Sequence, residues 1–160
     1  MDTNWPRMDR RGPHVGEAEV AAFERRFGHP LPDDYRRFLL EVNGGYPADE
    51  NSWIGHFTVN RLFSLCDQDD ESRDLETRAG WARTSLPHSD LLFIGHFDGA
   101  RILLALNGGH RGEVWSQDTV DQRPSSNPRV LWHDRRDMEK VADSFAEFAR
   151  QLGPLKISAG

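Results

Sequence analysis

LPDDYRRFLLEVNGG, residues 31–45, specifies a complete helix with both ends marked, and the fold can be read outward from it. Pro32 suits the first helical position, where its missing N–H has no intrahelical partner to lose. Asp33 and Asp34 place negative charge in the positive first turn. Tyr35, Phe38, Leu39 and Val42 fall at i, i+3, i+4 and i+7, one apolar stripe, while Arg36, Arg37 and Glu41 take the wet face. Asn43, Gly44 and Gly45 end the helix, because Asn and Gly reach the left-handed conformation at least cost.

Upstream, Gly16 to Pro30 places Val20, Phe23 and Phe27 on one face, with Gly28 as a stop and Pro30 preventing continuation. Two short helices therefore meet at a tight elbow. This order, a Glu-rich helix ending in Phe27-Gly28, then Leu31-Pro32, then an acidic-aromatic helix ending in Asn43-Gly44-Gly45, resembles the N-terminal signature of the SUKH superfamily. That superfamily contains bacterial immunity proteins and a yeast regulator of cell-wall synthesis. Leu92 to Val114 is similar to the family's central strands, and Ser144, Phe145, Phe148 and Ala149 resemble its closing SFxxF helix. The stretch from Asp67 to Ser89 aligns to nothing.

The rest of the chain reads as strands and turns. Residues 1–13 are an extended or mobile lead-in, with Trp5 pinned to the body. His56 to Leu65 is a strand, Asp67 to Asp74 an acidic loop, and Leu75 to Trp81 a short helix ended by Gly80. Leu91 to Phe97 and Arg101 to Leu106 flank Asp98-Gly99, a strong hairpin signal. The second of these strands is apolar on both faces, hence central. Glu113 to Gln117 returns, Thr119 to Pro128 is a loop, and Val130, Leu131 and Trp132 form a last strand. Met138, Val141, Ala142, Phe145, Phe148, Ala149 and Leu152 supply the stripe of the closing helix. The sum is an α+β fold, a largely antiparallel central sheet packed by two N-terminal helices and a C-terminal helix. Residues 14–154 form a single SUKH-like domain and 155–160 a tail.

At 160 residues one domain buries about two-thirds of the surface its unfolded chain exposes, with no need of a disulfide or metal. Cys66 is the only cysteine, which fits a reducing cytoplasm. No signal peptide or membrane span is visible. A net charge of −6 argues against a nucleic-acid binder, and the arginines are dispersed, which reads as composition bias and not as a site. An acidic surface does favour basic protein partners.

Candidate chemistry is sparse. The seven histidines show no HExxH or i, i+4 spacing, so surface or strand-end roles are expected and no metal. Asp67, Asp69 and Glu71 imitate the start of a calcium loop, but Ser72 and Arg78 occupy the positions that need Gly and Glu. Gly109 to Gly112 spells the GxxG of a KH loop, yet joins two strands. There is no nucleophile elbow and no phosphate-binding glycine loop. Neither an enzyme nor a cofactor is expected, although histidines and carboxylates converging from different strands would revive a metal hydrolase.

The resemblance implies an immunity protein. It would bind and neutralise a cognate polymorphic toxin in the cytoplasm, a nuclease among the candidates, by occluding the toxin's active site. The alternative is a regulatory module binding a host protein. Leu31, Pro32, Tyr35, Phe38, Leu39, Asn43, Gly44 and Gly45 carry the family motif and are structural. For the partner-binding surface the physical candidates are the acids Asp67, Asp69, Asp70, Glu71, Asp118 and Asp121, with Trp53 and Trp81 as aromatic anchors in loops. A toxin protein is the expected partner, with no nucleic acid or membrane, and the protein is expected to be a monomer or weak dimer.

Overall fold

The computed structural model describes residues 5–48, 52–67, 71–83, 86–119 and 131–152. Helix α1, Glu17–Phe27, ends at Gly28 in the left-handed conformation. Its start is tied by Glu19, whose carboxylate accepts from the Gly16 N–H at 2.9 Å. Helix α2, Asp33–Glu41, starts one residue later than its sequence suggests, with Pro32 extended at the N-cap. Tyr35, Phe38 and Leu39 are buried as the stripe requires. Glu24 of α1 makes the elbow, accepting from the Leu31 N–H at 2.7 Å and from Arg36 Nε at 3.2 Å.

Strands β1 (Met8–Asp9) and β2 (Tyr46–Pro47) pair with each other. The main sheet has six antiparallel strands in the order β3 (Trp53–Ile54), β4 (Phe57–Leu62), β5 (Leu91–Phe97), β6 (Ala100–Ala105), β7 (Val114–Asp118) and β8 (Met138–Ala142). Every neighbour in the sheet is also the neighbour in sequence, so the architecture is α+β with an antiparallel sheet. The sheet curls: His56, in the β3–β4 turn, stands 3.5 Å from Glu139 of β8, at the far edge. β6 is buried on both faces, with Ile102, Leu103 and Leu104 fully covered, as its two-sided apolar pattern requires.

Helix α4, Phe145–Gln151, begins at Ser144, whose hydroxyl accepts from the Glu147 N–H at 3.1 Å. Phe148 meets Phe97 at 6.2 Å between ring centroids, which places α4 on one face of the sheet. Successive strand residues face opposite ways, so His96 faces the other side. There helix α3, Leu75–Ala82, packs on β5. The N-terminus of α4 is bound to α2 directly, since Asp34 accepts from the Ala146 N–H at 2.8 Å.

Three sequence expectations are corrected. The closing helix starts at Phe145, and Met138 to Ala142 is instead the edge strand β8, because this segment pairs with β7 from Met138 opposite Gln117 onward. Of the strand expected at residues 130–132, Leu131 is not in a strand and Trp132 opens a 3-10 turn, Trp132–Asp134, while Val130 lies outside the described residues. Gly80 does not end α3, which runs through it to Ala82. Within residues 5–13 the lead-in is extended, with Met8 buried and Trp5 against Phe38 and Phe145 at 5.3 and 5.9 Å, the pinned position expected of that side chain. Among the described residues no helix is long and apolar enough to cross a membrane.

Candidate functional site

The turns at one end of the curled sheet enclose an open cleft of about 550 Å³. Trp53 and Phe57 come from the β3–β4 hairpin, Asp98 from the β5–β6 turn, Ser116 and Asp118 from β7, Asp137 from just before β8 and Glu139 from within it. Four carboxylates, Asp98, Asp118, Asp137 and Glu139, share this lining with Arg136 and His56. Asp137 is fixed by a fork from Arg135, with both nitrogens at 3.0 Å, and the Asp118 N–H donates to the Asp137 carbonyl at 2.7 Å. Asp98, Asp118 and Glu139 are exposed, and Trp53 is half-buried beside them. The cleft presents negative charge around an aromatic side, which suits cationic side chains of a partner.

The structure divides the sequence-derived candidates. Trp53 and Asp118 meet in this cleft, although Trp53 lies in a strand and not in a loop. Asp67 does not join them. It is only 9 % exposed, stands 3.5 Å from Arg73, and lines a separate cleft with Arg10, Arg11 and Cys66. Glu71 is exposed at the start of a 3-10 turn, Glu71–Arg73. Trp81 belongs to α3 and is 57 % exposed. Asp69, Asp70 and Asp121 lie outside the described residues. The motif residues Leu31, Tyr35, Phe38, Leu39 and Asn43 are buried.

On the opposite face lies a group of cations that the linear sequence conceals. Arg61 of β4 is directly opposite His96 of β5, and His96 is directly opposite Arg101 of β6. The row continues to Gln117 of β7, which accepts from Arg101 Nη1 at 3.2 Å. Arg78 descends on this row from α3, and its Nη2 meets His96 Nε2. Three rings surround its guanidinium, Phe63, Phe93 and Trp81, at 5.1, 5.4 and 5.5 Å from their centroids. Gly95 permits the close strand approach beneath it: a Cβ there would stand 2.3 Å from the Arg61 carbonyl.

Burial, reinforced by the guanidiniums of Arg78, Arg61 and Arg101, holds the His96 imidazole down at about 4. His96 is therefore neutral at physiological pH and accepts from Arg78. Burial also lowers Arg78 and Arg101, and Arg61 and Arg101 push Arg78 further down. Arg78 Nε is buried with no hydrogen-bond partner among the described residues. A third group of rings, His110, Trp115, Trp132 and His133, packs together beside Glu113, which accepts from Trp115 Nε1 at 3.0 Å. Among the described residues no three His, Cys, Asp or Glu side chains group as a metal site.

Two helices, a six-stranded antiparallel sheet in sequential order and a capped closing helix define a small α+β domain of the kind the N-terminal motif implies. The sequence matches the SMI1 / KNR4 family (SUKH-1) over residues 14–151, and the chain belongs to that family. No curated protein sequence matches it.

Proposed function

We propose that this protein is a non-catalytic immunity protein that binds a cognate toxin in the cytoplasm and neutralises it by covering the toxin's active site or basic substrate groove. Membership of the SUKH-1 family supports an interaction scaffold. The observation that carries the choice of surface is the cleft at the sheet end, where Asp98, Asp118 and Glu139 surround Trp53. A toxin that handles polyanionic or anionic substrates exposes a basic groove. An acidic, aromatic-bearing surface both steers such a partner and anchors it.

The test is co-expression with the product of the neighbouring gene, read by growth rescue, pull-down and calorimetry. Asp118→Lys combined with Glu139→Lys is expected to weaken toxin binding at least tenfold and abolish rescue, while the thermal melt of the free protein is unchanged. Trp53→Ala is expected to weaken binding further. Full affinity in the double charge reversal overturns the assignment of this surface, and a neighbour that neither inhibits growth nor binds overturns the immunity reading.

A further inference from the structure

The cationic row on the α3 side reaches the acidic cleft through Gln117, whose amide donates to Asp137 at 3.4 Å, and no carboxylate within the described residues pairs with its guanidiniums. Adjacent strands lie about 4.8 Å apart, so Arg61 and Arg101, which flank His96 on either side, start from backbones roughly 10 Å apart. Arg78 enters above the middle position, where it touches His96. Arg78 thus touches, and Arg61 and Arg101 flank on the same face, one side chain that is itself neutral. No carboxylate among the described residues is within ion-pair distance of any of them. The three rings around Arg78 account for its own burial through cation–π attraction. They do nothing for the mutual repulsion of three like charges in a partly desolvated site.

The geometry points to an oxyanion-binding site on this face, with Arg61, Arg78 and Arg101 holding a phosphoryl group over His96 and Trp81 offering a ring face to a nucleoside attached to it. Guanidinium N–H groups match phosphate oxygens, and three guanidiniums from three elements offer donors to an oxyanion beyond those that Arg78 gives to His96 and Arg101 gives to Gln117. The half-exposed state of Arg61 and Arg101 leaves the site open to solvent. Trp81 is 57 % exposed beside Arg78, so an aromatic base can stack there without displacing the core. His96 contributes as a positioning residue: its Nε2 holds Arg78 Nη2 and so fixes where the middle guanidinium points. The phosphoryl group could be free phosphate or part of a nucleotide, and the two sources differ in whether Trp81 matters.

Calorimetric titration of the full chain at pH 7.5 with inorganic phosphate, ADP and adenosine separates them. Saturable binding of ADP and phosphate without adenosine binding is the expected result. Binding of ADP that is at least tenfold tighter than phosphate, and at least threefold weaker in Trp81→Ala, identifies the nucleotide; equal affinities identify the free phosphoryl group. Arg61→Gln with Arg101→Gln should weaken either ligand at least tenfold while leaving the circular dichroism and melt intact. Should that double variant fail to fold, the unmodified protein gives a second readout: saturating phosphate should move the NMR titration midpoint of the His96 ring upward by a full pH unit or more. No saturable binding, undiminished affinity in a folded double variant, adenosine binding as tightly as ADP, or an unmoved His96 midpoint each overturns the site. Toxin binding at the acidic cleft is read separately, through Asp118 and Glu139, which belong to that cleft, whereas Arg61, Arg78 and Trp81 do not line it.

Discussion

At the scale of single residues, Asn43 does more than end a helix. Its φ of +61° places it in the left-handed region, as the Asn-Gly-Gly pattern implies. Its side chain, 2 % exposed, donates to the Pro13 carbonyl at 2.7 Å and the Leu65 carbonyl at 2.9 Å, and accepts from the Leu65 N–H at 2.8 Å. One amide thereby joins the lead-in, the end of α2 and the segment after β4. Asn43→Ala removes all three bonds and leaves the Leu65 backbone groups unpaired in the interior, so urea denaturation should show a loss of about 3 kcal/mol. A loss below about 1 kcal/mol would mean the amide is replaceable by water. His96 gives a prediction of opposite visibility, since nothing in its sequence neighbourhood hints at it. Its folded value of about 4 lies below the ordinary 6.5, so the folded state resists a proton that the unfolded chain accepts. Stability from this group is intact above pH 6.5, falls as pH drops from 6.5 towards 4, and is fully lost below 4. Discounted for the solvent that still screens a half-buried ring, the loss is about 1–2 kcal/mol. Unfolding measured at pH 7.5 and 4.5 should show that much less acid sensitivity in His96→Gln than in the native chain; equal sensitivity refutes the assignment.

At the scale of elements, α3 shows why a glycine is a poor stop signal by itself. Its real boundary is at the other end, where Asp74 accepts from the Thr77 N–H at 2.9 Å and the Thr77 hydroxyl at 2.7 Å. Gly80 sits inside the helix, and a Cβ built there meets nothing within 4 Å. Gly80→Ala should therefore stabilise the protein by about 0.5–1 kcal/mol, chiefly by restricting the unfolded chain, seen as a higher denaturation midpoint. Destabilisation would show that the position needs backbone freedom. The same contrast explains what was legible in the sequence. α1, α2 and the β5–β6 hairpin follow from periodicity and end signals that lie within the element. Met138 to Ala142 carries apolar residues at 138, 141 and 142, a spacing that serves a helix as well as a strand, and only its pairing with β7 decides. The candidate surfaces divide likewise. Trp53 and Asp118 were recognisable one by one as an aromatic and an acid near turns, whereas Arg61, Arg78 and Arg101 look dispersed because a strand register and a helix bring them together.

At the scale of the whole molecule, residues 5–12 act as a strap that closes the fold. Trp5 packs on Phe38 of α2 and Phe145 of α4, and its indole N–H donates to Glu41 at 2.6 Å. Met8 is buried where β1 pairs with β2. Arg11 Nε donates to the Val42 carbonyl at 3.2 Å, and a second guanidinium nitrogen reaches the Glu41 carbonyl, so the strap satisfies the unpaired end of α2. The Gly12 N–H donates to the Asn43 carbonyl at 3.0 Å, continuing the same seam. Composition left this segment extended or mobile, with only Trp5 expected to be pinned, because two prolines and scattered charge give no period; the contacts come from single side chains placed far apart, each meeting a different element. A chain starting at His14 uncovers Phe38 and Phe145, deprives α2 of its C-terminal donors and removes the buried Met8. Burial of Met8 at about 1.5–3 kcal/mol, a smaller amount for the half-buried Trp5, and about 1 kcal/mol for each lost hydrogen bond make up a large part of the 5–15 kcal/mol that holds an ordinary domain together. The truncated chain should therefore unfold at a much lower urea concentration than the intact one, and Trp5→Phe, which keeps the ring contact but loses the bond to Glu41, should fall between them. A truncation that loses less than about 1 kcal/mol would show that the strap lies on a fold complete without it.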